Sequence, residues 1–370
     1  MIIGVPAEIK NNEERVAITA AGARDLIAEG HEVVIERGAG AGSGITDREY
    51  TKAGAEIVSE VEEVFAQADM IMKIKEPQPE EYDYFQEGQI LFTYLHLAAH
   101  EELTEALRKR GVVSIAYETI ETEEGSLPLL TPMSEIAGRL ATLEGANYLQ
   151  NTNGEKGLLI GGVPGVNPAK VVIIGGGAVG INAAKMAVGL GAEVTILDVD
   201  MAQLRYLDDI FQSQVKTLVS NHNNISREVR EADLVIGGVL IPGAKAPYLV
   251  TEEMVMMMKD ESVVVDVAID QGGCIEGTHP TTHDDPIYTK HGVIHYSVSN
   301  MPGAVAKTAT YSLANVTVPY AIEIANKGYK AAMKSNKALA KGLNVCEGKV
   351  THRGVAEALD LEYSPVQEVL

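Results

Sequence analysis

The sequence predicts an α/β chain: two doubly wound, mostly parallel-sheet (Rossmann-like) domains joined by long helices. Three observations carry this. Short apolar runs rich in β-branched residues alternate with helical patterns, as expected of parallel strands covered by helices on both faces. The alternation occurs twice, on either side of a long helical segment near the middle of the chain. The length, 370 residues, is enough for two domains that each bury a core.

The elements follow in order. "IIGVP" (2–6), "EVVIE" (32–36), "MIMKIK" (70–75), "ILFTYL" (90–95) and "VVSIA" (112–116) read as strands, with helices at 20–29 and 101–110 among them. After "EGSLPLLTP" (124–132) the texture changes: 133–150 reads as one long helix and 154–167 as a glycine-rich loop. A second series begins with "KVVIIG" (170–175), "EVTILD" (193–198) and "KTLVS" (216–220). It continues through "DLVIGGV" (233–239), "SVVVDVA" (262–268) and "VIHYSV" (293–298). Six strands with intervening helices match a complete dinucleotide-binding domain. A long helix is expected over about 303–328, and the tail, 335–370, is too short to be a domain and is expected to pack on the first one. The expected division is therefore a discontinuous substrate domain, 1–128 plus 306–370, and a nucleotide-binding domain, 129–305. The cleft between two such domains is the natural place for an active site.

Composition narrows the function. Apolar residues make up 46% and charged residues 22%, ordinary values for a soluble globular protein. A formal charge of −22 argues against nonspecific binding to nucleic acid or to anionic membranes. An anionic substrate would have to be captured by local cations. No apolar run approaches the ~20 residues of a membrane span. The start, "MIIGVPAEIK", reads as a first strand and lacks the basic and apolar regions of a signal peptide. Cys274 and Cys346 are the only cysteines and form no CxxC, which fits a reducing compartment such as the cytoplasm.

The strongest local signal is "VVIIGGGAVGINAA" (171–184), where Gly175, Gly177 and Gly180 form G-x-G-x-x-G between a strand and a helix. The first glycine permits a tight turn. The second lets the backbone approach a pyrophosphate at the helix N-terminus, and the third lets helix and strand pack closely. Asp198 ends the next strand, at the distance where an acid receives ribose hydroxyls. A 2′-phosphate beside that carboxylate would be repelled, so the expected cofactor is NAD rather than NADP.

Functional groups of parallel α/β units gather at the carboxyl ends of strands. Arg15 lies in the loop after the first strand, Lys75 ends "MIMKIK" before Pro77, and His96 ends "ILFTYLH". Each has a structural alternative: a surface arginine, a solvated strand end, a satisfied core histidine. Their convergence on one edge favours function. His96 and His100, four apart, could suggest a metal pair on a helix, but the position after His96 is Leu97 rather than the Glu of H-E-x-x-H, and no third ligand is evident. A strand ending at His96 separates the two, leaving His96 as an acid–base candidate and His100 as a structural or surface residue at the start of the next helix. In "SVVVDVAIDQGG" (262–273), Asp266 inside the strand is expected to bond loop amides, while Asp270 at its end is a catalytic candidate or a turn-forming residue before Gly272–Gly273.

Taken together, "GVPAEIKNNEERVAIT", "KIKEP", "TYLHLAAH", "PMSEIAGRLA", "IGGGAVGINAA", "VDVAIDQGG" and "NMPGAVAKTAT" resemble the bacterial alanine dehydrogenase family. That group also includes the NAD-binding subunit of proton-translocating transhydrogenase, which stands as the nearest alternative. Dehydrogenases of other amino acids with the same architecture and a non-catalytic NAD-sensing module are more distant ones. The resemblance covers residue 1 to about 365. It implies interconversion of L-alanine with pyruvate and ammonium, NAD as cofactor, and a homohexamer. It implies that Arg15 and Lys75 hold the substrate carboxylate, that His96 transfers protons and that Asp270 assists. Implied cofactor contacts are Ser134, Ala178, Val179, Asp198, Ser220, Val239, Leu240, the strand end Val267, Ala268, Ile269 and Asp270, and the segment Val298, Ser299, Asn300 and Met301. Some members carry a metal pair on the long helix, an acid and a histidine four residues on; here Glu323 is followed by Lys327, so no metal is expected. A cofactor position that is arginine in some members is His279 here.

Overall fold

A computed structural model describes residues 1–239 and 247–370. The chain forms two compact units: Met1–Met133 with Val305–Leu370, and Ser134–Ala304.

The first unit opens with β1 (Ile2–Val5), β2 (Glu32–Glu36), β3 (Glu56–Val58), β4 (Met70–Met72), β5 (Ile90–Thr93) and β6 (Val113–Ala116). They run parallel in the order β6-β5-β4-β1-β2-β3, a doubly wound sheet whose direction of winding switches between β1 and β4. Burial on both faces explains the near-continuous apolar strands; β4 and β5 are buried throughout. One side packs Phe65, Ile71, Leu91, Leu95 and Leu103 into a single cluster, with Phe65 edge-on to Phe85 at 5.0 Å. Thr19 caps the first helix, Ala20–Ala28, by accepting from the Gly22 amide.

The second unit contains β7 (Lys170–Ile174), β8 (Glu193–Asp198), β9 (Val215–Val219), β10 (Leu234–Gly237), β11 (Val263–Asp266), β12 (Ile287–Lys290) and β13 (Val293–Tyr296). The order β12-β13-β11-β10-β7-β8-β9 repeats the winding of the first sheet, with β12 antiparallel at one edge. Its switch point lies between β7 and β10. His295 on β13 is buried and stacks on Tyr288 at 5.0 Å, with neither ring nitrogen bonded among the described residues. Burial without a partner disfavours the imidazolium and pulls the pKa of His295 down to about 4.

The tail returns to the first sheet as β14 (Leu343–Cys346) and β15 (Lys349–Val350), both in antiparallel pairings, with β14 against β6. The long helix covers Ala306–Lys327 with Pro319 inside it, and the helix near the middle covers Thr131–Tyr148. Among the described residues, no helix is long and apolar enough to cross a membrane. Cys274 and Cys346 are both buried and free.

Several strands stop short of their expected ends, among them β10, β11 and β13 by two residues each; for the runs 70–75 and 90–95 one physical reason is on view. The run 70–75 leaves the ladder after Met72 because the amides of Ile74 and Lys75 turn onto the Glu8 carboxylate, at 2.6 and 3.4 Å. The run 90–95 leaves it after Thr93 because the amides of Leu95 and His96 turn onto Glu118. A carboxylate in each case accepts the N–H groups that a longer strand would have given its neighbour. Lys75 and His96 therefore sit on loops just past the strands rather than on the strands.

Candidate active site

In the first unit the candidate groups lie on loops following β1, β4 and β5, the strands on either side of the switch point. Arg15 is 2% exposed. Its Nε and one terminal nitrogen donate to the two Glu13 oxygens at 2.6 and 2.5 Å, and the other terminal nitrogen lies 3.2 Å from Met133 Sδ. Burial alone would lower its pKa, but Glu13 outweighs burial and raises it. The guanidinium stays charged and fixed in orientation. Sequence reasoning missed Glu13 because a charged loop reads as solvated.

Lys75 is half-buried, and its carbonyl accepts from the Thr93 hydroxyl at 3.1 Å. Its loop is set by a buried triad. Lys73, 1% exposed, lies 2.7 Å from Glu81 and 3.3 Å from Glu8. Glu8, which collects the Ile74 and Lys75 amides, is pushed up in pKa by burial against the pull of Lys73. The triad has two carboxyls for one ammonium, so the Lys73 charge is spent within it.

His96 takes a left-handed backbone, φ 49°. Its amide donates to Glu118 at 2.7 Å, and its ring lies parallel to Tyr94 at 6.1 Å between centroids. The Tyr94 hydroxyl donates to the Leu129 carbonyl at 2.5 Å. His100 precedes the helix Glu101–Arg110 and lines a separate pocket of about 330 Å³ with Glu76, Tyr82 and Glu102. Burial lowers its pKa. The two histidines flank the short 3-10 turn Leu97–Ala99, His96 at its start and His100 at its end, and do not lie together on one α-helix.

In the second unit the glycine loop bears out its spacing. Gly175 has φ +100°, which favours glycine. A Cβ on Gly180 would sit 1.9 Å from the Gly175 carbonyl oxygen, whereas one on Gly177 would meet nothing within 4 Å. The loop is thus closed toward its own helix and open on the side where a pyrophosphate would lie. Ala178 and Val179 begin the helix Ala178–Gly189. Asp198 ends β8, and its carboxylate accepts from the amides of Gly176 at 2.7 Å and Asp200 at 2.9 Å. Gln203, which the sequence did not flag, ties the same loop through the Gly176 carbonyl at 2.5 Å. Ser220 follows β9 with its amide on the Asp198 carbonyl. Its hydroxyl is buried with no partner among the described residues. An open glycine cradle, a carboxylate at the next strand end and an orphaned hydroxyl beyond it fit a dinucleotide.

The rest of the expected cofactor set divides by location. Ser134 is half-buried on the helix Thr131–Tyr148. Val239 follows β10, and Leu240 lies outside the described residues. Val267, Ala268, Ile269 and Asp270 follow β11, held by Asp266, which accepts from the amides of Ala268, Cys274 and Ile275 and from the Thr278 hydroxyl at 3.1–3.2 Å. Asp270 is exposed and accepts from the Asn300 amide at 3.3 Å, which joins it to the segment Val298, Ser299, Asn300 and Met301. The Asn300 carbonyl meets His283 Nε2 at 3.2 Å, a partner with no sequence signature. His279 is exposed and stacks on Tyr288 at 3.9 Å. In the first unit, Glu323 accepts from Lys327 at 2.8 Å and Asn336 at 2.9 Å.

The fold and these groups define a two-unit α/β protein with one unit of dinucleotide-binding type and one unit that carries Arg15, Lys75 and His96 on loops past its parallel strands. Two family models match: "Alanine dehydrogenase/PNT, N-terminal domain" over residues 4–137 and "Alanine dehydrogenase/PNT, C-terminal domain" over 141–353. The chain belongs to the alanine dehydrogenase/PNT family. Among curated relatives, it is 61% identical to an alanine dehydrogenase of Methanococcus maripaludis over 100% of both chains. It is 60% identical to an alanine dehydrogenase of Bacillus subtilis, over 100% of this chain and 98% of the other. Among solved structures, an L-alanine dehydrogenase matches with TM-score 0.94 and 52% identity, covering 97% of this chain and 99% of that one. A transhydrogenase from Sinorhizobium meliloti matches with TM-score 0.79 and 27% identity, covering 95% and 99%.

Proposed function

We propose that the chain is an alanine dehydrogenase: it converts L-alanine, NAD and water to pyruvate, ammonium, NADH and a proton, reversibly. Full-length identity of 57–61% to proteins named alanine dehydrogenase supports the reaction. What supports the chemistry is that Arg15, Lys75 and His96 each lie on a loop following a parallel strand of the first unit.

Arg15 and Lys75 take the substrate carboxylate, the first through directional charge-assisted hydrogen bonds and the second mainly through charge. Fixing the carboxylate orients Cα and supplies much of the rate in such a reaction. NAD, when bound, accepts the hydride from Cα. Oxidation of the C–N bond leaves an imine, and water adds to its carbon. The resulting carbinolamine must lose ammonia, which requires a proton to move from oxygen to nitrogen. His96 performs that relay, since an imidazole both gives and takes a proton near neutral pH. Asp270 orients the water and stabilises positive charge on the departing nitrogen. The expected cofactor contacts, from the glycine loop and Asp198 to Ser220 and the 298–301 segment, hold NAD in the second unit. We further propose a cytoplasmic homohexamer that uses no resident metal and binds neither nucleic acid nor membrane.

Asp198 sets the choice of cofactor, because its carboxylate would face the 2′-phosphate of NADP. With L-alanine and equal low concentrations of NAD or NADP, turnover is expected to favour NAD by at least about tenfold, the effect of ~1.4 kcal/mol of like-charge repulsion. Comparable rates would remove that role for Asp198.

A further inference from the structure

We infer that Glu118 is a positioning residue for His96, holding the backbone from which the imidazole projects; the inference rests on the proposed acid–base role of His96. At φ 49°, His96 occupies the left-handed region, which is uncommon outside glycine, although histidine, like Asn and Asp, enters it more readily than most residues. The Glu118 carboxylate is the group that holds it there. One of its oxygens accepts from the His96 amide at 2.7 Å, and the Leu95 amide lies 3.2 Å from both oxygens. Successive amides can converge on one acceptor only where the chain has left the extended ladder, so these bonds select the turned conformer. Because the acceptor is a carboxylate, the bonds are charge-assisted and stronger than those to a carbonyl.

Topology delivers Glu118 to this point. It follows β6, which pairs in parallel with β5 and ends opposite it, Thr93 beside Ala116. Two residues past each partner, the chains of β5 and β6 present Leu95 and Glu118 at the same carboxyl edge. The Tyr94 ring, parallel to the imidazole, limits the side chain from the other direction. Glu118 thus fixes the backbone that sets the Cα–Cβ direction of His96, whose ring lies parallel to that of Tyr94. Glu118 acts on the reaction through the main chain, not by contact with substrate.

A double-mutant cycle tests this on the full-length protein: wild type, E118A, H96A and E118A/H96A, with E118Q as the conservative variant. The readouts are kcat and KM for alanine, the NADH dissociation constant and the thermal midpoint. E118A is expected to lower kcat by about 10–100-fold, the scale of an ångström's misplacement of a catalytic group. The KM for alanine and the NADH affinity should change by less than about threefold. E118Q should recover part of the loss, because its amide oxygen still accepts from one N–H. In the H96A background, E118A should change the residual rate by less than about twofold, since coupled residues are not additive.

The inference is overturned if kcat of E118A stays within about twofold of wild type, or if E118A costs the same factor with and without His96. If E118A fails to fold, as the thermal midpoint will show, E118Q and E118Q/H96A carry the cycle on the same criteria. An H96A variant as active as wild type would instead remove the acid–base reading of His96, and the inference with it. That result is distinct from an impaired H96A alongside a silent E118A.

Discussion

His96→Ala is expected to lower kcat by ~10²–10⁴-fold in both directions, the range supplied by a positioned acid–base group. An imidazole as a class can both donate and accept a proton near neutral pH. Arg15 is held in its charged form by Glu13, and Tyr94 is driven further from titration by burial, which raises its pKa. NADH affinity should hold within about threefold, because removing a group that acts in the transition state leaves ground-state binding of the cofactor largely unchanged. The comparison of kcat by steady-state kinetics with NADH affinity by fluorescence titration decides it. A near-normal turnover in H96A would show that the proton relay runs through another group.

The second large effect is expected at the carboxylate clamp. Lys75→Ala should raise KM for pyruvate and lower kcat/KM by about 10–100-fold, the value of a charge-assisted bond of ~1.5–3 kcal/mol. Arg15→Ala should do the same and also destabilise the first unit. Its partner Glu13 is 6% exposed, and a buried carboxylate stripped of its cation typically costs about 3–5 kcal/mol. Both variants are therefore expected to lose substrate affinity, and Arg15→Ala also loses stability through Glu13. Unchanged pyruvate kinetics in both variants would remove the clamp.

The legible parts of this molecule were those with a period or a spacing. The two β/α alternations gave both sheets, and G-x-G-x-x-G marked a strand–turn–helix whose backbone is close at Gly180 and open at Gly177. The missed strands lacked such a signal. β3 has three residues, β12 is an antiparallel edge strand of alternating character, and β14 gains its meaning from pairing with β6 more than 200 residues earlier, with the two-residue β15 added to β14. The supporting carboxylates were the least legible. Glu8 reaches amides 66 and 67 residues away and Glu118 reaches amides 22 and 23 away, distances with no pattern in sequence. A lone Glu in a loop reads as solvated until the fold shows which amides it collects. These same residues shortened β4 and β5 and placed Lys75 and His96 on loops, so the error in strand length and the omission of the carboxylates have one cause.

The central claim is that the chain makes and breaks a C–N bond at a 2-oxoacid with NAD as hydride carrier. Oxidation of NADH by the purified full-length protein in the presence of pyruvate, followed with and without ammonium, tests it most directly. The account predicts steady oxidation that requires both pyruvate and ammonium and yields L-alanine. Oxidation that proceeds equally well without ammonium, or none with both present, would contradict it.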